Sequence, residues 1–164
     1  MNTIRKMLLA IIVIAGIGKV SAQNTSSTNP LNTNGTEGVF TAAEDLEWYY
    51  PMEGAPIQFA VASGSTFETA HSTFGKFPGN FITPVHIHSN SYQAVVISGV
   101  MTNPMASEKG NPVKMGPGSY WYVPGNEAHQ TACISVEPCV FYMYQPVPFD
   151  FTPVDQISDN KMHK

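Results

Sequence analysis

Three histidines in two short stretches are the residues best suited to chemistry. His86 and His88 are separated by one residue, and on a β-strand residues i and i+2 point to the same face. A third histidine, His129, follows a Pro124-Gly125 turn. Neutral imidazole is the commonest metal ligand in proteins. The spacing therefore predicts a site for one divalent metal ion. The alternative is that each histidine is a polar strand residue that binds no metal and either faces solvent or is hydrogen-bonded in the core.

The stretch around the first two histidines resembles the first motif of the cupin superfamily, which runs Gly, five residues, His-x-His, three or four residues, Glu, six residues, Gly. Both histidines and the closing glycine match: His86, His88 and Gly99. Gly79 stands one place further out than the motif requires. The glutamate is missing, because the two positions where it would fall hold Tyr92 and Gln93.

The second stretch resembles the second cupin motif, with matches at Gly118, Pro124 and His129. Asn126 replaces the inner glycine of that motif and Cys133 replaces its closing asparagine. The resemblance spans residues 46–145 and implies an all-β fold, a single cupin β-barrel of the double-stranded β-helix or jelly-roll type.

Composition agrees with a β-rich domain. Charged residues make up 12% of the chain, against about 25% in ordinary soluble domains, and Gly and Pro number 13 each. Frequent turn residues without helical periodicity favour an all-β fold. The net charge of −4, with no basic patch, argues against nucleic-acid binding.

Alternating patterns and turn residues predict the individual elements. Strands are expected over residues 57–61, 73–77, 81–88, 92–98 and 119–123. Residues 101–113 are expected to form a long loop, and 129–134 and 139–144 to form a hairpin. The proline-rich tail from Pro146 is expected to wrap the surface. Short strands at this spacing are typical of a small barrel.

The N-terminus has the pattern of a secretory signal peptide. Arg5 and Lys6 precede an apolar run that is shorter than the roughly 20 residues of a membrane-spanning helix. We expect a signal peptide over residues 1–22, a disordered linker over 23–39 and the cupin domain over 40–164. The protein would then be exported to the periplasm or the extracellular space, with no membrane association after cleavage.

Two cysteines, Cys133 and Cys139, flank the turn of the predicted hairpin. Cysteines of exported proteins are commonly paired, so these two are candidates for a disulfide. The alternative is that Cys133 is a small buried core residue.

Other polar residues are secondary candidates. Gln93 and Tyr92 are candidates for a fourth ligand or for the pocket wall, although alternation does not decide which of them faces inward. Glu127 is either a partner for an imidazole or a solvated turn charge. His71 and His163 are not expected to be ligands.

The resemblance implies a metal-binding cupin with a three-histidine centre, similar to small diketone-cleaving cupin dioxygenases, which use iron(II), and to anti-sigma-factor-type cupins, which can carry zinc. The first hypothesis is a metal-dependent, dioxygenase-like enzyme acting on a small organic molecule with zinc or iron(II). The alternative is a non-catalytic cupin that binds or senses a metal or a small molecule. A homodimer is a family expectation.

Overall fold

The computed structural model describes residues 38–155. The predicted signal peptide, most of the predicted linker and His163 lie outside this range, and so do the last residues of the predicted domain. Within the described part of the chain, no helix is long and apolar enough to cross a membrane.

The regular secondary structure of the described residues is almost entirely β, with one short 3-10 helix at Ala43–Asp45. The nine strands are β1 (Gln58–Gly64), β2 (His71–Phe77), β3 (His86–Ile87), β4 (Tyr92–Ser98), β5 (Met101–Thr102), β6 (Tyr120–Val123), β7 (Ala132–Cys133), β8 (Cys139–Gln145) and β9 (Thr152–Pro153). They form a five-stranded antiparallel sheet in the order β1-β2-β8-β4-β6 and two short pairs, β3-β9 and β5-β7. The predicted all-β barrel is confirmed.

The core lies on one face of the five-stranded sheet, as the period-two pattern requires. On β8, for example, Phe141 and Met143 are buried whereas Tyr144 is exposed. Gly75 of β2 lies opposite Phe141, and a Cβ atom at this glycine would stand 2.2 Å from the Phe141 ring. The missing side chain therefore makes room for an aromatic ring that packs against the sheet.

The hairpin predicted from residues 129–134 and 139–144 is wrong. β7 pairs with β5, whereas β8 pairs with β2 on one side and β4 on the other. Because both edges of β8 are filled by strands from earlier in the chain, the segment before it pairs elsewhere. The connection between β7 and β8 is thus a corner between sheets.

Two further predictions differ from the structure. The strand predicted over 81–88 is regular only at β3, and Pro84 within it has no N–H to donate to a neighbouring strand. The tail does not simply wrap the surface, because β9 pairs with β3, where His86 stands opposite Pro153. The tail is therefore part of the wall that carries the first two histidines.

Candidate metal centre

The backbone holds the first and third histidines side by side. His86 and His129 form an isolated antiparallel bridge, in which each N–H donates to the other residue's carbonyl at 3.0 Å. His88 follows β3 directly, so it stays close to His86, and the centroids of these two rings are 5.0 Å apart. Local strand geometry and one long-range bridge thus bring the three residues together.

The three imidazoles converge on one point. Each offers one ring nitrogen, and these three atoms all lie within 4.8 Å of one another. The side chains are buried, since His86, His88 and His129 are 2%, 5% and 0% exposed. Metal–nitrogen bonds of about 2.0–2.1 Å require nitrogens no more than about 3.6 Å apart. A small inward movement of the rings would therefore bring all three nitrogens onto one ion.

The other nitrogen of each ring is held by a backbone carbonyl. His86 Nδ1 lies 2.9 Å from the Pro84 oxygen and His129 Nδ1 lies 2.9 Å from the Glu127 oxygen. His88 Nδ1 makes the equivalent bond to the Asp150 oxygen. A carbonyl only accepts hydrogen bonds, so each Nδ1 carries the proton and each Nε2 keeps its lone pair. All three rings are therefore in the tautomer that binds a metal through Nε2.

The electrostatics keep these rings neutral. Burial, together with the proximity of the other imidazoles, lowers the pKa of His86 to about 3. Burial also lowers the pKa of His88 to about 4 and lowers that of His129. Neutral imidazoles do not have to lose a proton before they bind a metal. The site is thus ready for a metal ion at neutral pH.

Tyr92 occupies a position that the cupin motif gives to glutamate. Its hydroxyl oxygen lies 3.2 Å from His129 Nε2 and accepts a hydrogen bond from Trp121 Nε1, also at 3.2 Å. Because His129 Nε2 is an acceptor, the Tyr92 hydroxyl must donate to it. Burial raises the pKa of Tyr92, although its hydrogen bonds act in the opposite direction, so the side chain is a neutral phenol. The phenol therefore stands at the face of the three-histidine cluster.

Gln93 lies on the other face of β4. The structure contradicts its predicted role as a fourth ligand or pocket residue, because its side chain is exposed and accepts a hydrogen bond from the Tyr120 hydroxyl at 3.2 Å. The register of β4 against its neighbours turns Tyr92 inward and Gln93 outward.

The remaining candidate residues lie outside the set of three possible metal ligands. Glu127 orients His129 through its backbone carbonyl, while its carboxylate lies 3.5 Å from the Ser107 hydroxyl. His71 is buried on β2, away from the three-histidine cluster. Cys133 and Cys139 are joined by a disulfide across the corner between β7 and β8.

The tail contributes contacts that the sequence did not predict. The Phe151 ring stacks on His86, with centroids 4.2 Å apart, and the Phe149 ring lies 5.2 Å from His88. The carboxylate of Asp150 between them accepts hydrogen bonds from the Ser89 N–H at 3.0–3.1 Å. The sequence did offer one indication of these contacts. Two phenylalanines that flank an aspartate, Phe149-Asp150-Phe151, are unusual in an exposed tail.

A cavity extends from the histidines into the barrel. The volume open to the centre of a water-sized sphere is about 40 Å³. One buried water needs about 10–15 Å³ of such volume. The cavity wall is mostly apolar and aromatic, and it includes two of the three histidines. The residues are Ile57, Phe59, Phe77, Thr83, His86, His88, Tyr92, Trp121, Thr131, Phe141, Met143, Gln145, Phe149 and Phe151. The space is therefore enough for about three water molecules, or for a small organic group of similar size.

Residues 62–164 match a family described as a domain of unknown function, DUF4437. The chain belongs to this family. No curated protein sequence matches this cupin. The family description assigns no activity, so the functional conclusion must come from the site.

Several solved structures are similar in fold to this chain. The polyketide cyclase RemF from Streptomyces resistomycificus is similar with a TM-score of 0.59 and 19% identity, over 72% of this chain and 86% of RemF. An RmlC-like cupin from Shewanella frigidimarina gives 0.52 and 16%, over 68% and 93%. A mutant of the oxalate decarboxylase OxdC from Bacillus subtilis gives 0.53 and 20%, over 70% of this chain and 34% of OxdC. These likenesses establish the cupin fold.

Proposed function

We propose that this cupin holds one divalent metal ion, zinc or iron(II), through His86, His88 and His129, and acts on a small organic molecule. The observation that carries this proposal is the common tautomer of the three rings. Three backbone carbonyls hold the Nδ1 protons, and the three unprotonated nitrogens converge in a buried cluster, where only His129 Nε2 accepts a hydrogen bond, from Tyr92. A purely structural histidine cluster would be expected to pair these buried acceptors, yet no donor among the described residues is assigned to Nε2 of His86 or His88.

The donor set limits the chemistry. Three neutral imidazoles leave the 2+ charge of the ion uncompensated by protein carboxylates, which favours anionic or oxygen-bearing ligands. When bound, the ion would supply Lewis acidity or, as iron(II), a centre for oxygen chemistry. A polyketide cyclase and an oxalate decarboxylase share this fold, so the fold accommodates enzyme sites.

The residues of the chain have defined tasks in this proposal. The aromatic wall, including Phe149 and Phe151, excludes water and packs against the apolar part of the substrate. Tyr92, held by Trp121, presents its hydroxyl where the ion would take the lone pair of His129. A metal at that nitrogen would displace the phenol, which would then contact the ion or the molecule bound to it.

The finer proposal is a dioxygenase-like reaction, as the cupin motifs imply. For a small β-diketone, pentane-2,4-dione and O₂ would give acetic acid and 2-oxopropanal, so both oxygen atoms enter the products. The test is oxygen uptake by iron(II)-loaded protein supplied with pentane-2,4-dione, with zinc-loaded protein and the His88→Ala variant as controls. Oxygen uptake that matches product formation and is absent from both controls would support the reaction.

A second candidate function is a binding or sensing cupin that performs no reaction. It is favoured by the cavity wall, in which the described residues include no Asp, Glu or Lys to act as a general base. Metal binding without turnover of diketone, phenolic or sugar substrates would support this candidate.

Export to the periplasm or the extracellular space is also part of the proposal, on the basis of the N-terminal sequence. Fractionation of cells that express the full chain, with mass spectrometry of the mature N-terminus, tests it. Cleavage before Gln23 is the expected result. A homodimer is proposed on family grounds, and the molar mass measured by light scattering tests it.

A further inference from the structure

A second polar group lies inside the barrel, apart from the three histidines. Gln145 is the last residue of β8 and stands opposite His71 of β2. Both side chains are 1% exposed. Among the described residues, neither Gln145 Nε2 nor His71 Nε2 has a hydrogen-bond partner. Buried polar groups are nearly always hydrogen-bonded, so an unpaired donor in the core requires an explanation.

The neighbour of Gln145 does not supply that explanation. His71 Nδ1 lies 2.8 Å from the Thr73 hydroxyl, which lies 3.3 Å from the Thr66 hydroxyl, and Tyr49 donates to the latter at 3.0 Å. This buried chain of hydroxyls fixes the His71 ring. Burial lowers the pKa of His71, whereas a side-chain hydrogen bond with Gln145 acts in the opposite direction. A contact that favours the protonated imidazole involves the Gln145 carbonyl oxygen, because a protonated imidazole only donates. His71 is therefore a fixed, neutral neighbour that leaves the amide donor of Gln145 unpaired.

The unpaired amide lies on the wall of the cavity that contains the metal-binding residues. Gln145 lines this cavity together with His86 and His88. The pairing of Gln93 with Tyr144 places Tyr92 level with Gln145 on the adjacent strand. The inward residues that precede Gln145 on β8, Phe141 and Met143, are apolar.

Two other polar side chains of the wall already take part in hydrogen bonds. The Thr131 hydroxyl donates to Asn103 at 2.6 Å, and the Thr83 hydroxyl accepts from the Thr131 N–H at 3.1 Å. Gln145 differs from these two threonines because its buried amide nitrogen has no hydrogen-bond partner at all in the described part of the chain.

We propose that the side-chain amide of Gln145 is a specificity subsite, which donates a hydrogen bond to a carbonyl or carboxylate oxygen of the molecule in the cavity. This inference rests on the proposed function in one respect, namely that the metal holds another oxygen of the same molecule. The cavity then selects a small compound with two oxygen-bearing groups, one for the metal and one for Gln145, joined by a short apolar segment that contacts the aromatic wall.

The test compares ligand pairs that differ in one carbonyl oxygen. Zinc-loaded protein is titrated with pyruvate against propanoate, and with 4-oxopentanoate against pentanoate. We expect wild-type protein to bind at least one oxo acid about fivefold to tenfold more tightly than its partner, because the carbonyl gains a hydrogen bond to a buried donor. In Gln145→Leu this preference falls below about twofold, whereas the zinc affinity, which depends on the three histidines, is unchanged.

Stability separates recognition from a structural role. Gln145→Leu removes a buried donor without a partner and keeps a similar side-chain volume, so we expect its Tm to equal or exceed that of the wild type. A variant that keeps the oxo-acid preference, or a wild type that shows none for either pair, would overturn the subsite.

An NMR measurement on wild-type protein keeps the test independent of the variant's folding and of the metal. The side-chain amide signals of Gln145 are identified by their absence from Gln145→Leu or, if that variant does not fold, from Gln145→Glu. We expect these signals to shift when butanone, a neutral ketone, is added to zinc-free protein. If zinc does not bind but the shift occurs, the metal proposal fails and the subsite stands. If no shift occurs, the subsite is wrong, even when zinc binds.

Discussion

Acid should destabilise the metal-free protein strongly, because the three-histidine cluster resists protonation in the fold. In the unfolded chain each imidazole titrates near 6.5, whereas in the fold the pKa values of His86 and His88 are about 3 and about 4. Below pH 6.5 the unfolded state therefore binds more protons than the folded state. The free energy of unfolding must then fall as the pH decreases from about 6.5 towards the folded values.

The magnitude follows from the size of the shift. One pKa unit corresponds to about 1.4 kcal/mol. Because the unfolded imidazole is already half-protonated at pH 6.5, lowering the pH from 6.5 to 4.5 should cost roughly 2 kcal/mol through His86 alone. The contributions of His88 and His129 add to this value, but less than fully, because part of the lowering is mutual repulsion between the protonated rings. This loss is a large share of the roughly 5–15 kcal/mol by which domains are stable.

The assay is urea unfolding of chelator-treated protein between pH 8 and pH 4.5, followed by tryptophan fluorescence, to which the buried Trp121 and the half-buried Trp48 both contribute. The matched variant is His86→Gln, which removes one titrating ring. We expect its stability to decline with falling pH less steeply, by about 1.4 kcal/mol per pH unit. A wild-type stability that stays constant from pH 6.5 to 4.5, or a variant with an unchanged slope, would refute the reasoning.

Three further substitutions test how the barrel is built. Cys139→Ala, which opens the disulfide to Cys133, should lower the free energy of unfolding by about 2 kcal/mol in the loop-entropy description, measured by urea unfolding. Gly75→Ala should cost about 1–3 kcal/mol because its Cβ would overlap the Phe141 ring, again by urea unfolding. Tyr92→Phe should lower the free energy of unfolding by about 1–3 kcal/mol, measured by thermal unfolding, because His129 Nε2 and Trp121 Nε1 lose their buried hydrogen-bond partner.

Matched controls accompany these substitutions. Gly116→Ala is the control for the glycine, because a Cβ there would meet no atom within 4 Å, and its effect should stay within about 1 kcal/mol. Tyr120→Phe is the control for the buried tyrosine, because Tyr120 is exposed, and it should change stability by less than about 0.5 kcal/mol. For the disulfide, wild-type protein under strong reductant should match Cys139→Ala. For the glycine and the tyrosine, equal effects in the control and its partner would contradict the packing described for that position. For the disulfide, it is an unequal effect that would contradict the account.

Local sequence patterns correctly predicted the features that depend only on residues close in the chain, such as the bounds of a strand and the face that a side chain shares. β4 begins and ends at the predicted residues because its alternation of buried and outward positions is a local property. His86 and His88 lie together because residues two apart in an extended chain share a face. The motif resemblance added His129 to this pair, although the bridge that places it is a long-range contact.

Features that depend on distant pairing could not be predicted in the same way. Alternation distinguished the faces of Tyr92 and Gln93 but did not show which face was inside, because the register against β6 and β8 decides it. β8 pairs with two strands that precede it by many residues, so an assumed hairpin with its sequence neighbour was wrong. The contacts of Phe149 and Phe151 with the histidines depend on the pairing of β9 with β3.

The most direct test of the metal centre is the metal content of the exported protein, purified without chelator or metal-affinity tag and measured by elemental analysis. The His88→Ala and His129→Ala variants are measured beside it. We predict about one zinc or iron ion per chain in the wild type and a loss of this ion in both variants, because three ligands set the affinity. Wild-type protein that contains no metal and takes up none on reconstitution would contradict the proposed function.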